Sequence, residues 1–301
     1  MNNFDPKNLN VVFAGCARNC EPFIKKTLDN IEHYSSLFKE SFKVIIENGS
    51  KDKTRDILKK NQTENDFYFF EDNLNDLPNR GLRLEKARNF FIEKIKSNNE
   101  LKNCNLLIVL DLDESGNYTI NKDAIAKSIK FLNSKKTIGA VFANQYGTYY
   151  DMWTLRDEKY CQNDFWAEVL QNIAKKINYK NNITNEILAE VKKEYIDNKT
   201  FIFNENLPPI SVKSAFGGFG IYKMEYVLKN KRNYEGTQTI DLVFKDKIKT
   251  KTKFQKCEHV NFNLGLIDQN LELYILPYLI NREYLDVTFP PQAAIKLMIK
   301  D

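Results

Sequence analysis

The chain has 301 residues, of which 42% are hydrophobic and 28% are charged, and its formal net charge is +5 at pH 7. These values are typical of a globular protein, and the net positive charge is smaller than expected for a chain that binds nucleic acid. The 5 cysteines are odd in number and scattered, which argues against a disulfide framework and indicates a reducing compartment. The sequence shows no apolar amino-terminal segment and no run of about 18 apolar residues, so we expect a cytoplasmic protein, at most peripheral at a membrane.

The first half of the chain alternates between apolar strands and helices. Buried strands are predicted at 10–15, 42–46, 67–70 and 106–110. A first helix is predicted to begin at Asn19 or Cys20 with Pro22 in its first turn, and further helices at about 55–60 and 83–96. This alternation predicts an α/β fold with a parallel, doubly wound sheet flanked by helices.

Two aspartates, Asp111 and Asp113, follow directly after the strand at 106–110. Residues i and i+2 of a strand face the same side, so both carboxylates are expected in one cleft at the carboxyl edge of the sheet. Such a pair could hold a hard divalent cation, which commonly shares its oxygen ligands with a substrate phosphate. The alternative is structural, because aspartate is common where a strand gives way to a loop.

The pattern changes after residue 117. A helix is predicted at 122–132, a strand at 138–144 and two lysine-rich helices at 165–177 and 186–196. Between them, residues 145–153 supply aromatic rings suited either to a carbohydrate or to the core. A glycine-rich strand is predicted at 214–222, where Gly217 and Gly218 would allow close backbone approach or mark a bulge. No internal repeat or linker is visible, so we expect one compact unit.

Residues 229–256 form a basic stretch with 9 Lys or Arg residues and 3 acids. Its lysines alternate at 245, 247, 249, 251 and 253, which places them on one face of a predicted strand. They could protect a sheet edge against pairing with a neighbour. They could equally form a contact surface for an acidic acceptor or for an anionic membrane surface.

Three segments together resemble nucleotide-sugar glycosyltransferases of the GT-A fold with a family 2-like core. They are the strand and turn at 44–54 (VIIENGSKDKT), Ala87-Arg88-Asn89, and Leu110-Asp111-Leu112-Asp113. The resemblance covers roughly residues 10–120 and implies a Rossmann-like, mixed but mainly parallel sheet with a carboxyl-terminal extension on the acceptor side. Residues 1–120 would bind the nucleotide sugar, and residues 121–301 would form the acceptor-binding half of the same domain.

The resemblance also implies particular donor-site residues. Mn²⁺ or Mg²⁺ would be held by Asp111, Asp113 and the late histidine His259, with Asp113 as a direct ligand. Asp111 would contact the metal directly or through water, or it would instead contact the ribose or the donor sugar. The residues expected along the nucleotide, its diphosphate and the donor sugar are Ala14, Arg18, Glu47, Arg83, Arg88 and Asp111.

The acceptor chemistry is less defined by the sequence. An inverting transferase needs a carboxylate base, and the candidates are Asp241, Asp151 and Glu258. The double glycine and Cys257-Glu258-His259-Val260 faintly resemble capsule-associated α-mannosyltransferases of fungi and their microbial relatives. That likeness would imply a retaining reaction without such a base, so the stereochemistry stays open.

We therefore expect a metal-dependent hexosyltransferase that uses a UDP- or GDP-sugar and a glycan, lipid-linked or protein-linked acceptor, with no nucleic acid partner. One alternative is a noncatalytic carbohydrate-binding or scaffold protein with the same fold. A sugar nucleotidyltransferase would need a glycine-rich basic loop after the first strand, whereas residues 14–18 contain one glycine. A haloacid dehalogenase-type phosphatase would begin with its Asp-x-Asp motif, and here three predicted strands precede it.

Overall fold

The computed structural model describes residues 5–199 and 201–282. Its strands are β1 (Asn10–Ala17), β2 (Glu40–Glu47), β3 (Asp66–Phe70), β4 (Leu106–Leu110), β5 (Ile138–Asn144), β6 (Ile210–Val212), β7 (Phe219–Lys223), β8 (Thr237–Val243), β9 (Lys249–Gln255) and β10 (Glu272–Ile280). Eight of them form one sheet in the order β3-β2-β1-β4-β7-β5-β10-β6, and β8 and β9 form a separate hairpin.

The large sheet is mixed but mainly parallel. β1 pairs in parallel with β2 and β4, and β10 pairs in parallel with β5. Only β7 and β6 run antiparallel to their neighbours in this sheet, within the residues described. Strands from before and after residue 120 therefore share one sheet, since β4 is hydrogen-bonded to β7.

Helices cover both faces of the sheet. They are α1 (Glu21–Ser35), α2 (Thr54–Asn61), α3 (Arg80–Ser97), α4 (Asn99–Lys102), α5 (Lys122–Leu132), α6 (Phe165–Lys176), α7 (Asn185–Val191), α8 (Asp197–Lys199), α9 (Met224–Lys229) and α10 (Glu258–Ile267). Short 3₁₀ turns lie at Pro6–Asn8, Asp72–Asp76 and Glu114–Asn117, and a π-helical turn lies at Lys192–Ile196.

The hydrophobic core has two layers because successive side chains of a strand point to opposite faces. Along β1, Val12 packs into the layer that contains Phe91 of α3, whereas Phe13 packs into the layer that contains Ile24 of α1 and Ile125 of α5. β4 is buried along its whole length, as expected for a central parallel strand. The predicted α/β class, with a mainly parallel sheet flanked by helices, is confirmed.

Among the predicted elements that differ from the structure, two lie beside the cavities described below. The helix predicted at 83–96 begins earlier, at Arg80, because the Asn79 side chain accepts a hydrogen bond from the Leu82 amide and caps the first turn. The glycine-rich strand predicted at 214–222 is shorter, because Gly217 and Gly218 have φ angles of 63° and 78° and form a turn before β7.

No helix in the described part of the chain is both long enough and apolar enough to cross a bilayer.

The double-glycine turn gives the first testable expectation. A Cβ atom at Gly217 would lie 2.5 Å from the Ala143 carbonyl oxygen, in addition to the strain of its positive φ. We therefore expect Gly217→Ala to lower the free energy of unfolding by roughly 1–3 kcal/mol, measured by denaturant unfolding.

Gly139→Ala is the matched control. Its φ is not in the left-handed region, and its Cβ would meet only the Leu271 side chain, at 3.0 Å. Equal losses of stability in the two variants would show that the turn conformation does not require glycine.

Candidate active site

A cavity of about 250 Å³ lies at the carboxyl ends of β1 and β2. We call it the arginine cavity, and its lining residues are Cys16, Ala17, Arg18, Asn19, Cys20, Asn48, Arg80, Arg83, Leu84 and Asp113. Parallel strands deliver their carboxyl ends to one edge of a sheet, and the loops that follow them form the crevice. The position is therefore the one at which open α/β sheets bind ligands.

Three arginines, Arg18, Arg80 and Arg83, line this cavity, and none of them is paired with a carboxylate among the described residues. Burial and the charges of Arg18 and Arg80 lower the pKa of Arg83. The only acid in the lining is Asp113, so the cavity can accept a ligand that carries several negative charges.

A second cavity of about 160 Å³ adjoins the first and shares Arg80, Leu84 and Asp113 with it. We call it the acidic cavity. Its remaining lining residues are Arg88, Asp111, Ser115, Tyr150, Asp151, Trp153, Thr154, Phe216, Cys257, Glu258 and His259. The adjoining cavities can hold two parts of one elongated ligand, or a ligand and its reaction partner.

The structure brings the two aspartates predicted from the sequence to the junction of these cavities. Asp113 lines both cavities, and one of its oxygens accepts a hydrogen bond from the Ser115 amide at 3.0 Å. Asp111 is held through its backbone, because its amide donates to the Gly218 carbonyl at 3.0 Å. Burial and the neighbouring Asp113 charge raise the pKa of Asp111 to about 7.

The Asp113 charge opposes ionisation of Asp111, and a divalent cation between the two carboxylates would offset that repulsion. The residues present therefore fit a hard metal ion coordinated by the aspartates, with its other ligands supplied by substrate oxygens or water. Oxygen donors are those that Mg²⁺ and Mn²⁺ prefer.

His259 lines the acidic cavity together with both aspartates, and its role as a third metal ligand stays a prediction. Among the described residues, no three of His, Cys, Asp and Glu are grouped closely enough to hold a metal ion. The imidazole stacks on Phe216 with the ring centroids 3.9 Å apart, and neither ring nitrogen has a hydrogen-bond partner among the described residues. Burial and the charge of Arg88 lower its pKa, which keeps the ring neutral.

Arg88 occupies the floor of the acidic cavity and was predicted to steady the donor. Its side chain is 4% exposed, and its guanidinium donates to Glu258 at 2.6 Å and to Asp111 at 3.2 Å. The rings of Phe216 and Tyr234 lie within 5.3 and 5.9 Å of the guanidinium carbon. Arg88 thus fixes two carboxylates relative to each other, while its remaining nitrogen, Nη1, is buried without a hydrogen-bond partner among the described residues.

Asp151 is the second carboxylate with an organised environment in the acidic cavity. It accepts hydrogen bonds from the Gly217 amide at 2.9 Å and from the Thr154 hydroxyl at 2.8 Å. Burial is the largest influence on its carboxyl group, whose pKa is raised. Thr154 also lies 3.0 Å from the Cys257 sulfur, which stands next to Glu258. A chain of buried polar contacts therefore links Asp151 to the Arg88 ion pairs.

Three other residues predicted from the sequence lie outside both cavities. Ala14 is fully buried within β1, because that strand continues to Ala17 and the cavity begins at Cys16. Glu47 is also fully buried, and its carboxylate accepts hydrogen bonds from the Ser50 amide at 2.5 Å and from Arg55 at 2.6 Å. Its oxygens therefore hold the turn after β2, and Asn48 lines the cavity instead.

Asp241 is the third of these residues, and the structure does not bring it to the site. It lies exposed on β8 opposite Lys251 of β9, in the separate hairpin. Of the three base candidates, the acidic cavity therefore contains Asp151 and Glu258.

Sequence reasoning missed Arg80, which lines both cavities. Arg80 is the first residue of α3, three residues before the predicted start of that helix. Asn79 could have indicated the earlier start of this helix, because asparagine is a favoured N-cap residue and Arg80 follows it directly.

The chain belongs to glycosyl transferase family 2, whose sequence profile matches residues 16–198. The matched range includes the arginines, both aspartates and Asp151, and it is more than half of the chain. The observed mixed, mainly parallel sheet flanked by helices matches the GT-A fold. No curated protein matches the chain.

One similar solved structure is S. aureus TarS residues 1–349 in complex with UDP-GlcNAc. It is 11% identical with a TM-score of 0.48, and the match covers 95% of this chain and 61% of that chain. Another is Mycobacterium tuberculosis glucosyl-3-phosphoglycerate synthase with UDP, at 13% identity and a TM-score of 0.43, covering 95% of this chain and 75% of that one. A third is the Pyrobaculum calidifontis mannosyltransferase PcManGT with GDP-Man and Mn²⁺, at 14% identity and a TM-score of 0.39, covering 76% of this chain and 49% of that one.

The Arg88 ion pairs give a testable expectation. Arg88→Met removes the cation and leaves Glu258 buried without its partner, which costs about 3–5 kcal/mol in comparable buried pairs. We expect a loss of this size in the free energy of unfolding.

The double variant Arg88→Met/Glu258→Gln is the matched control, because it removes the charge as well as its partner. It should recover part of the loss. If the loss of stability in the double variant equals the sum of the losses in Arg88→Met and Glu258→Gln alone, Arg88 and Glu258 are not energetically coupled.

Proposed function

We propose that the protein transfers a hexose from a UDP- or GDP-sugar to a hydroxyl group of a glycan or glycoconjugate in a metal-dependent reaction. The observation that carries the proposal is the junction at Asp113. On one side lie three arginines without carboxylate partners, which suit a diphosphate. On the other side lies a cavity with the carboxylates and aromatic rings that a sugar and its acceptor require.

The donor is placed with its diphosphate in the arginine cavity. Arg18, Arg80 and Arg83 would bind the phosphate oxygens, and Asn48 would face the nucleoside. The donor sugar would pass Asp113 and enter the acidic cavity, because that residue and Leu84 line both spaces. In this proposal, the residues that bind the diphosphate all come from before position 120.

Mn²⁺ or Mg²⁺ would be held by Asp113 directly and by Asp111, either directly or through water. The cation would neutralise the negative charge that develops on the departing diphosphate. Arg88 contributes by holding Asp111 in place through its 3.2 Å contact, and the double-glycine turn fixes the Asp111 backbone.

The acceptor is placed in the remaining part of the acidic cavity. Tyr150 and Trp153 line it, and the Trp153 indole nitrogen has no hydrogen-bond partner among the described residues. Aromatic faces suit the apolar side of a sugar ring, and the indole N–H can donate to a hydroxyl oxygen. This arrangement favours a glycan or a sugar-bearing lipid or protein as acceptor.

Asp151 is our candidate for the base if the reaction inverts configuration. Glu258 is less suited, because its carboxylate is already engaged in an ion pair with Arg88 at 2.6 Å. Asp151 has no cationic partner among the described residues, and its raised pKa makes it a stronger proton acceptor than an exposed aspartate.

A noncatalytic carbohydrate-binding protein with the same fold is the second candidate. A screen of UDP- and GDP-hexoses for donor hydrolysis with Mn²⁺ tests the proposal, because the released nucleotide reports base and sugar together. If no donor is hydrolysed and calorimetry detects neither nucleotide nor Mn²⁺ binding, the enzymatic proposal is wrong.

Substitution of Asp113 tests the metal ligand. We expect Asp113→Ala and Asp113→Asn to lose transfer and to lose Mn²⁺ binding in the presence of the nucleoside diphosphate, measured by calorimetry, while the fold is kept. Glu114→Gln is the matched control, since Glu114 is the adjacent acid but points to solvent with its side chain 64% exposed. Normal turnover in Asp113→Ala would exclude this residue as the metal anchor.

Substitution of Asp151 tests the base. We expect Asp151→Asn to lower kcat by about 10²–10⁴-fold, the usual contribution of a general base. The wild-type activity should fall as pH drops through the Asp151 pKa, because the base acts deprotonated, and this limb should lie above the ordinary aspartate value of about 3.9. Asp241→Asn is the control, because it removes an acid outside both cavities. An unchanged acidic limb in Asp151→Asn would assign the base to another residue.

A further inference from the structure

The β8–β9 hairpin and the segment after α6 form an exposed basic tip. Seven exposed lysines lie here: Lys175, Lys180, Lys245, Lys247, Lys249, Lys251 and Lys253. Within residues 5–199 and 201–282 none of the seven forms an ion pair with a carboxylate. The nearby lysines that do pair are Lys176, with Glu190 at 2.7 Å, and Lys256, with Glu235 at 2.6 Å.

The hairpin is firmly attached, so its lysines form a defined surface. Its inner face, with Leu242 and Phe254, is buried in the core. The Lys245 amide donates to the Ala174 and Ile177 carbonyls and so closes the carboxyl end of α6. Lys249, Lys251 and Lys253 occupy the opposite, exposed face because they alternate with the inward residues of β9.

Two large apolar side chains are exposed at the same tip. Ile248, between Lys247 and Lys249, is 42% exposed, and Tyr179 is 36% exposed. They belong to one surface, because the Tyr179 ring packs at 5.2 Å from the Phe244 ring and its amide donates to Asp246 at 3.1 Å. Lysines that only protected a sheet edge would not need exposed apolar neighbours.

We propose that this tip binds the surface of an anionic lipid bilayer. Lysines near such a surface attract the acidic headgroups, while an aliphatic and a tyrosine side chain can enter the interface between headgroups and acyl chains. The acids within the two segments, Asp241 and Asp246, leave a clear positive excess. A soluble acidic polymer would use the lysines but not Ile248 and Tyr179. This proposal is independent of the donor site.

Vesicle flotation of the full-length chain tests the proposal. We expect binding to phosphatidylcholine vesicles that contain about 30% phosphatidylglycerol, no binding to pure phosphatidylcholine, and release at roughly 0.5 M salt. Lys249→Glu/Lys251→Glu/Lys253→Glu should weaken binding by at least about a hundred-fold, since three attractive charges become repulsive. Lys26→Glu/Lys60→Glu/Lys130→Glu makes the same charge change on exposed helix positions and should retain binding.

The apolar contribution has its own pair of variants. Ile248→Ser should weaken vesicle binding, whereas Ile202→Ser, at a site 62% exposed outside the basic tip, should not. Thermal unfolding confirms that each variant is folded. Failure of the wild type to bind anionic vesicles, equal losses in the two triple variants, or binding to heparin without binding to vesicles would each overturn the proposal.

Discussion

The site depends on one buried interaction, the contact of the Arg88 guanidinium with Glu258 and Asp111. These residues come from α3, from the first turn of α10 and from the end of β4, so the ion pairs join three elements that are distant in sequence. A charge so deeply buried is tolerated only when it is paired and hydrogen-bonded. The folded state therefore requires the carboxylates to be in place before any ligand binds, which provides a preorganised site.

The division between the two cavities follows from charge. Unpaired arginines surround one cavity, while carboxylates dominate the other, and Asp113 stands at the boundary. Arg80 lines both cavities and Arg88 lies in the acidic one, so the separation of charge is a difference in balance. The double-glycine turn connects two of the carboxylates, because the Gly218 carbonyl accepts from the Asp111 amide and the Gly217 amide donates to Asp151.

The basic tip lies away from the two cavities, and its charges are exposed to solvent. Its lysines are exposed and form no ion pair within the described residues, whereas Arg88 is enclosed and ion-paired with two carboxylates. Exposed charges act over distance and are screened by salt, while buried charges act through geometry. The chain thus combines a rigid polar centre with a surface suited to an extended anionic partner.

The sequence by itself determined the main elements of the fold. Hydrophobic periodicity placed the strands at 138–144 and 106–110 and the helix at 122–132 with the observed bounds, because these segments are long or fully apolar. The position of Asp111 and Asp113 at the end of a buried strand also followed from local pattern, and it correctly directed attention to the carboxyl edge of the sheet.

Only the tertiary structure decided which polar residues meet. Glu47 and Asp241 looked as suitable as Asn48 and Asp151 in the sequence, but β2 buries Glu47 under its own turn and the hairpin carries Asp241 to the surface. The ion pairs of Arg88 with Glu258 and Asp111 likewise became visible only in the folded structure. A carboxylate or guanidinium has the same local sequence signature whether it faces a ligand or a buried partner, and only long-range packing distinguishes the two.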